Sequence, residues 1–173
     1  MDLKNIIFKR SGFSGFTVIE LIVVCVIISI TALIAIPMIG SAASDQAGSA
    51  ANILAADIEY AKNLAISRQQ NYYVVFDTTN NSYEVQDKDR NVISHPVNSG
   101  KDFVVKFDED NRLGRVKIKT VDFDSSDTVF FDYLGSPYNG FSNPLNSGSV
   151  ILEAGEYSLT ISIEPVTGYI TIN

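Results

Sequence analysis

Few residues in this chain could do chemistry, and their spacing argues against most of it. Cys25 is the single cysteine and His95 the single histidine. One cysteine excludes an intramolecular disulfide and a Cys-rich zinc site, and one histidine excludes a multi-histidine metal site. Cys25 lies in an apolar run, where a thiol usually just packs. His95 precedes Pro96 in a polar stretch without a recognisable nucleophile, and reads as a surface residue. Carboxylates gather at Asp108-Glu109-Asp110 and at Asp122, Asp124 and Asp127. Calcium favours such oxygen ligands, but no EF-hand spacing appears, and solvated loops are commonly acidic. No cofactor, metal or catalytic set is expected, and the chain does not read as an enzyme.

The remaining candidate is Glu20, at the head of an apolar run. Residues 21–39 carry no charge over 19 positions. As a helix they would extend about 28 Å, close to the ~30 Å hydrocarbon core of a bilayer. The run therefore predicts a transmembrane segment, with a buried core helix as the alternative. A secretory signal peptide fits less well, because the run is too long and no clear A-x-A site follows it. Lys4, Lys9 and Arg10 precede the run, and Asp45, Asp57 and Glu59 follow it. The positive-inside rule then places the N-terminus in the cytoplasm and the remainder outside. A carboxylate in the membrane costs up to ~3 kcal/mol, so Glu20 either stays wet at the interface or needs a cationic partner.

The flanking residues bear on that choice. Positions 9–20 read KRSGFSGFTVIE. A basic leader ends in Gly-Phe, a Glu stands fifth counting from Phe16, and Pro37 is the twenty-second residue of the helix that follows. This arrangement resembles the type IV prepilin signal shared by type IV pilins and type II secretion pseudopilins. Of the two Gly-Phe pairs, only Gly15-Phe16 puts Glu20 fifth. The resemblance implies that a prepilin peptidase cuts between Gly15 and Phe16 and N-methylates the new terminus. The Glu20 carboxylate of one subunit would then pair with the Phe16 amine of a neighbour, in a low dielectric that strengthens the pair. Pro37 removes a backbone donor, so it predicts a kink, or a segment that melts or stretches during assembly.

After Gly40 the pattern becomes amphipathic. Ile53, Leu54, Ile58, Ala61, Leu64 and Ala65 recur at three- and four-residue intervals. One long helix is expected from about 16 to 69. From residue 71 the period changes to two, with a hairpin turn at 78–81 and about eight short strands in two antiparallel sheets. The expected class is α+β: a long N-terminal transmembrane and amphipathic helix packed on a C-terminal antiparallel β domain. The organisation predicted is 1–15 leader, 16–39 transmembrane and assembly half-helix, 40–70 amphipathic half-helix, and 71–173 β domain. Residues 135–149 read as a long loop rich in Gly, Ser, Asn and Pro. Its Tyr138, Phe141 and Leu145 either contact a partner or pack over a sheet edge.

The helix end at 54–69, the stretch 131–137 (FDYLGSP) and the terminal PVTG at 165–168 extend the resemblance to the H-type minor pseudopilins, the GspH/FimT family. That family implies a non-enzymatic filament subunit that primes or caps a type II secretion pseudopilus for export across the outer membrane. The alternative is a minor type IV pilus pilin in pilus assembly, adhesion or DNA uptake. Implied partners are the prepilin peptidase, other major and minor pseudopilins, the inner-membrane assembly platform and membrane lipid. The implied location is the bacterial inner membrane, single-pass, with the β domain periplasmic. The charge pattern argues against DNA. No Lys or Arg follows Lys119, the last 54 residues hold seven carboxylates, and the cut product would carry a net −9.

Overall fold

The computed structural model describes residues 15–98 and 100–173, with the side chains of 34–41 outside the description. The chain divides into two units, Met1–Ile39 and Gly40–Asn173. Helix α1 spans Val18–Arg68. Among the described residues nine strands follow, against about eight expected: β1 Tyr72–Asp77, β2 Ser82–Gln86, β3 Val104–Lys106, β4 Val116–Phe123, β5 Thr128–Phe131, β6 Pro137–Asn139, β7 Gly148–Ala154, β8 Tyr157–Ile163 and β9 Ile170–Ile172. They form two antiparallel sheets, ordered β3-β2-β1-β5-β6 and β4-β7-β8-β9. The α+β class and the two-sheet β domain are as the period switch predicts.

In the first unit the helix is apolar on every side. Val18, Ile19, Leu21, Ile22, Ile27, Ile28 and Leu33 are all exposed. Among the described residues no helix is long and apolar enough to cross a membrane. The apolar stretch with described side chains, 18–33, is shorter than the ~20 residues a bilayer crossing needs. The rest of the predicted run lies outside the described side chains.

In the second unit the helix buries one stripe: Ala43, Ala47, Ala50, Ala51, Leu54, Ile58, Ala61 and Ala65. Its N-terminal half is built of alanines. They escape a search for large apolar residues, yet let the backbone lie close to its neighbours. Val74, Phe76 and Val85 from the first sheet, and Val116, Leu152 and Ile161 from the second, complete the same core. Phe76 packs at 5.7 Å from Tyr83 and 5.6 Å from Phe123, in the tilted geometry that aromatic pairs favour.

Polar side chains hold the loops between these elements. The β1–β2 turn closes through Asp77, whose Oδ1 accepts the Asn80 N–H at 2.9 Å. Next to it, Asn81 adopts φ 50° and is buried. Its side-chain amide donates to the Val116 carbonyl at 2.8 Å and accepts the Ile118 N–H at 2.8 Å. One amide thus pairs with the free edge of β4 as a strand would.

The loop expected over 135–149 contains β6. Pro137–Asn139 pairs with β5 through Phe131↔Pro137, Phe130↔Tyr138 and Val129↔Asn139. An edge strand tolerates a leading proline, and three residues are too short for alternation to register. Tyr138 stacks on Phe130 at 5.2 Å and Leu145 is buried, whereas Phe141 is exposed. Two of the three apolar residues therefore pack, and one does not.

Candidate functional site

The residues singled out for processing lie at the head of α1. Gly15, Phe16 and Thr17 are outside the helix and exposed. A Cβ placed on Gly15 would meet nothing within 4 Å, so nothing in the described fold requires glycine there. Phe16 is 83% exposed.

Thr17 is the cap of the helix that starts at Val18. Its Oγ1 accepts the Glu20 N–H at 3.3 Å, and Glu20 Oε2 accepts the Thr17 N–H at 3.5 Å. This reciprocal T-x-x-E arrangement is a capping box, which satisfies two of the donors that every helix start leaves open. The Glu20 carboxylate also sits at the positive end of the helix dipole. The other carboxylate oxygen, Oε1, accepts no bond from the described residues. Sequence reasoning noted Glu20 but missed Thr17. The signal was the three-residue spacing from Thr to Glu ahead of an apolar run. Pro37 falls within the α1 span, and its side chain, with the kink expected from it, lies outside the described residues.

The other candidates have structural partners. His95 is half-buried, not a free surface residue. Its Nδ1 accepts the N–H groups of Val97 and Asn98 at 3.1 and 3.2 Å, and its ring lies 4.6 Å from that of Phe103. Cys25 is exposed on the apolar part of α1.

Each acidic cluster closes a loop. Asp108 accepts from Lys117 and Asn81, both at 2.7 Å, and these bonds, the Lys117 one foremost, hold its carboxyl below the usual range. Asp110 accepts from Arg112 at 3.1 and 2.8 Å. Asp124 accepts the N–H groups of Asn146 and Ser147 at 2.9 and 3.1 Å, pinning the segment after β6. Among the described residues no three His, Cys, Asp or Glu side chains converge as a metal cluster.

One titratable pair escaped the sequence. The Tyr83 hydroxyl donates to Asp57 Oδ2 at 2.6 Å, joining α1 to β2. Burial raises the Asp57 carboxyl, partly offset by the Tyr83 bond and by His95. Burial, and then the Asp57 charge, push the Tyr83 phenol well above its usual value. Asp57 lies on the polar flank of α1, where sequence periodicity assigns it to solvent.

The family model described as type II transport protein GspH matches residues 50–167. The model of the prokaryotic N-terminal methylation motif matches residues 10–36. No curated protein matches the sequence significantly. Among solved structures, the minor pseudopilin EpsH from the Type 2 Secretion System of Vibrio cholerae aligns with a TM-score of 0.54 at 10% identity. That alignment covers 74% of this chain and 96% of EpsH. The type IV minor pilin FimU of Pseudomonas aeruginosa aligns with a TM-score of 0.51 at 12% identity, covering 75% of this chain and 90% of FimU. At such identities these two likenesses establish the fold.

Proposed function

This chain belongs to the GspH family of type II transport proteins, and from that premise we propose that it is a minor pseudopilin. In this reading it primes or caps a type II secretion pseudopilus for protein export across the outer membrane. The observation that carries the proposal is the head of α1. An exposed Gly15-Phe16 bond stands just outside a helix that begins with the Thr17–Glu20 capping box, within the segment matched by the methylation motif.

A peptidase needs its scissile bond in accessible, non-helical chain, and residues 15–17 supply that. With open space around Gly15, the demand for glycine comes from outside the chain, which suits recognition by a prepilin peptidase. Cutting there removes the leader 1–15 and creates an α-amine at Phe16. Glu20 can keep its cap through Oε2 while Oε1 takes the Phe16 amine of a neighbouring subunit. In an apolar filament core an unpaired carboxylate is penalised, so this pair would set the register between subunits.

The apolar half of α1, 16–39, would lie in the inner membrane before assembly and in the filament core afterwards, with 40–70 and 71–173 in the periplasm. Pro37 would allow the helix to bend or stretch between these states. Other pseudopilins and the inner-membrane assembly platform are the partners of this reading.

Intact mass of the protein from its native membrane tests it. Loss of residues 1–15 together with a gain of about 14 Da for one methyl group is the expected result. An uncut Met1 start, or a cut near Ser44, would overturn it. Glu20→Ala is expected to be processed but excluded from filaments, and normal incorporation would remove the pairing role. The fold likeness to FimU supports a second reading, a minor pilin of a type IV pilus. Deleting the gene separates the two, since loss of secretion with intact pili favours the first, and the converse the second.

A further inference from the structure

Sheet edges are open templates for another strand unless something blocks them, and three of the four edges here carry a block. Residues 143–145 cover β6, with Asn139 N–H bonded to the Asn143 carbonyl and Leu145 N–H to the Pro137 carbonyl. The Asn81 amide occupies β4, which is also interrupted by a register shift between Ile118 and Thr120. β3 runs directly into a 3-10 turn and carries the Lys106–Glu109 ion pair at 2.8 Å.

Among the described residues nothing blocks β9 in this way. Thr160 and Asn173 exchange both backbone bonds at 2.9 Å, and Glu164 N–H donates to the Tyr169 carbonyl at 2.8 Å. By the alternation of an antiparallel ladder, the N–H and C=O of Ile170 and Ile172 then point away from β8. No hydrogen bond from the described residues reaches them. They border a groove of about 540 Å³ walled by Ala55 and Glu59 of α1 and by residues 169–173.

We propose that this edge is a strand-addition site, and that its occupant is an extended, basic-flanked segment of a second, different polypeptide. A pair of N–H and C=O groups repeating at every second residue is matched by another extended backbone. Side chains set the rest of the occupant. Ile170 and Ile172 lie opposite Ile163 and Ile161, which are buried in the core, yet Ile172 is 39% exposed. The added strand must therefore present apolar residues on that side, over Ala55, and polar ones on the side of Ser162 and Thr171. Its charge follows from the surroundings. Glu59 in the groove wall is already paired with Lys62 at 2.8 Å, so the charge left to a partner is that of Glu164, at the head of β9's turn, in a stretch, 120–173, that contains no Lys or Arg. A second copy of this chain would bring the same acidic edge, so a basic-flanked partner is favoured. Identifying that partner as a neighbouring filament subunit rests on the pseudopilin reading. The site itself rests on β9 alone.

The test uses the full chain in detergent micelles and a synthetic peptide, Lys-Val-Thr-Val-Thr-Val-Lys, with a Glu-flanked version as control. Binding of the Lys-flanked peptide is expected to slow amide exchange at Ile170 and Ile172 by about tenfold or more, and the Glu-flanked peptide much less. Ile172→Pro removes an outward N–H that the β8–β9 ladder does not use, and is expected to abolish binding, whereas Ile172→Ala keeps the protection. Unchanged exchange at both isoleucines, equal binding of the two peptides, binding that survives Ile172→Pro, or protection that rises with protein concentration in the absence of peptide would each overturn the proposal. The wild-type exchange comparison decides the matter even if the proline variant does not fold. None of these readouts touches Gly15, Phe16 or Glu20, so failure here is distinct from failure of the assembly reading.

Discussion

Two polar residues of this chain do the same job at very different range. Glu20 satisfies a backbone donor three residues away, in a capping box that any isolated helix could form. Asn81 satisfies backbone groups 35 and 37 residues away and ties the first sheet to the edge of the second. The two units differ in the same sense. Over 18–33 the helix buries nothing within its own unit and is held by local bonds, since its many β-branched residues are weak helix formers. Over Gly40–Asn173 the helix shares one core with both sheets. The described part of the first unit thus rests on local bonds, and the second unit on its own core.

The sharpest way to break this contrast is a matched pair of truncations. Leu54→Ala removes a fully buried side chain and is expected to cost about 2–5 kcal/mol of domain stability in chemical denaturation. Leu21→Ala, on the exposed half, is expected to leave that midpoint unchanged. An equal loss from both would mean that the two halves fold as one cooperative unit.

Asn81→Ala tests the long-range tie. It leaves the Ile118 N–H and the Val116 carbonyl unpaired, and is expected to cost about 2–3 kcal/mol. Amide exchange at Ile118 should accelerate ahead of exchange at β7. Thr17→Ala probes the local counterpart and should cost the helix start about 1 kcal/mol. The expected signature is fraying confined to the first turn of α1, with the denaturation midpoint of the β domain unmoved.

The smallest effect concerns pH. Burial raises the Asp57 carboxyl in the folded chain. Its contribution to stability is therefore fully present below the ordinary carboxylate range, and is lost as pH rises through the raised value. Asp108 and Asp110 have lowered values, and their contribution runs the opposite way, lost as pH falls. Asp57→Asn keeps an acceptor for Tyr83 and removes the buried charge. The variant is expected to gain in melting temperature relative to the parent at pH 7 more than at pH 4. A gain independent of pH would show that folding leaves the Asp57 carboxyl at its ordinary value.

Most of the architecture was legible because it rests on periodicity. The change from a three-to-four-residue period to a two-residue period near position 71 announces helix, then strands. Residues 78–81 mark the first hairpin, and the apolar run with its leader marks the N-terminal segment. β6 was not legible, since three residues in a Gly- and Asn-rich stretch show no alternation and exist as a strand only because β5 pairs with them. The alanine stripe from Ala43 to Ala51 was not legible either, because small residues carry little hydrophobic signal until something packs on them.

At the candidate site the division is similar. Thr17 and Glu20 bond across three residues, and Gly15 and Phe16 directly precede them, so the linear sequence alone determined this arrangement. The Asp57–Tyr83 bond and the half-burial of His95 join parts of the chain that are distant in sequence. The open edge of β9 depends on which strands the other elements cover. Only tertiary structure decided these, because a hydrogen bond or a packed ring between remote residues exists only once the intervening chain has folded.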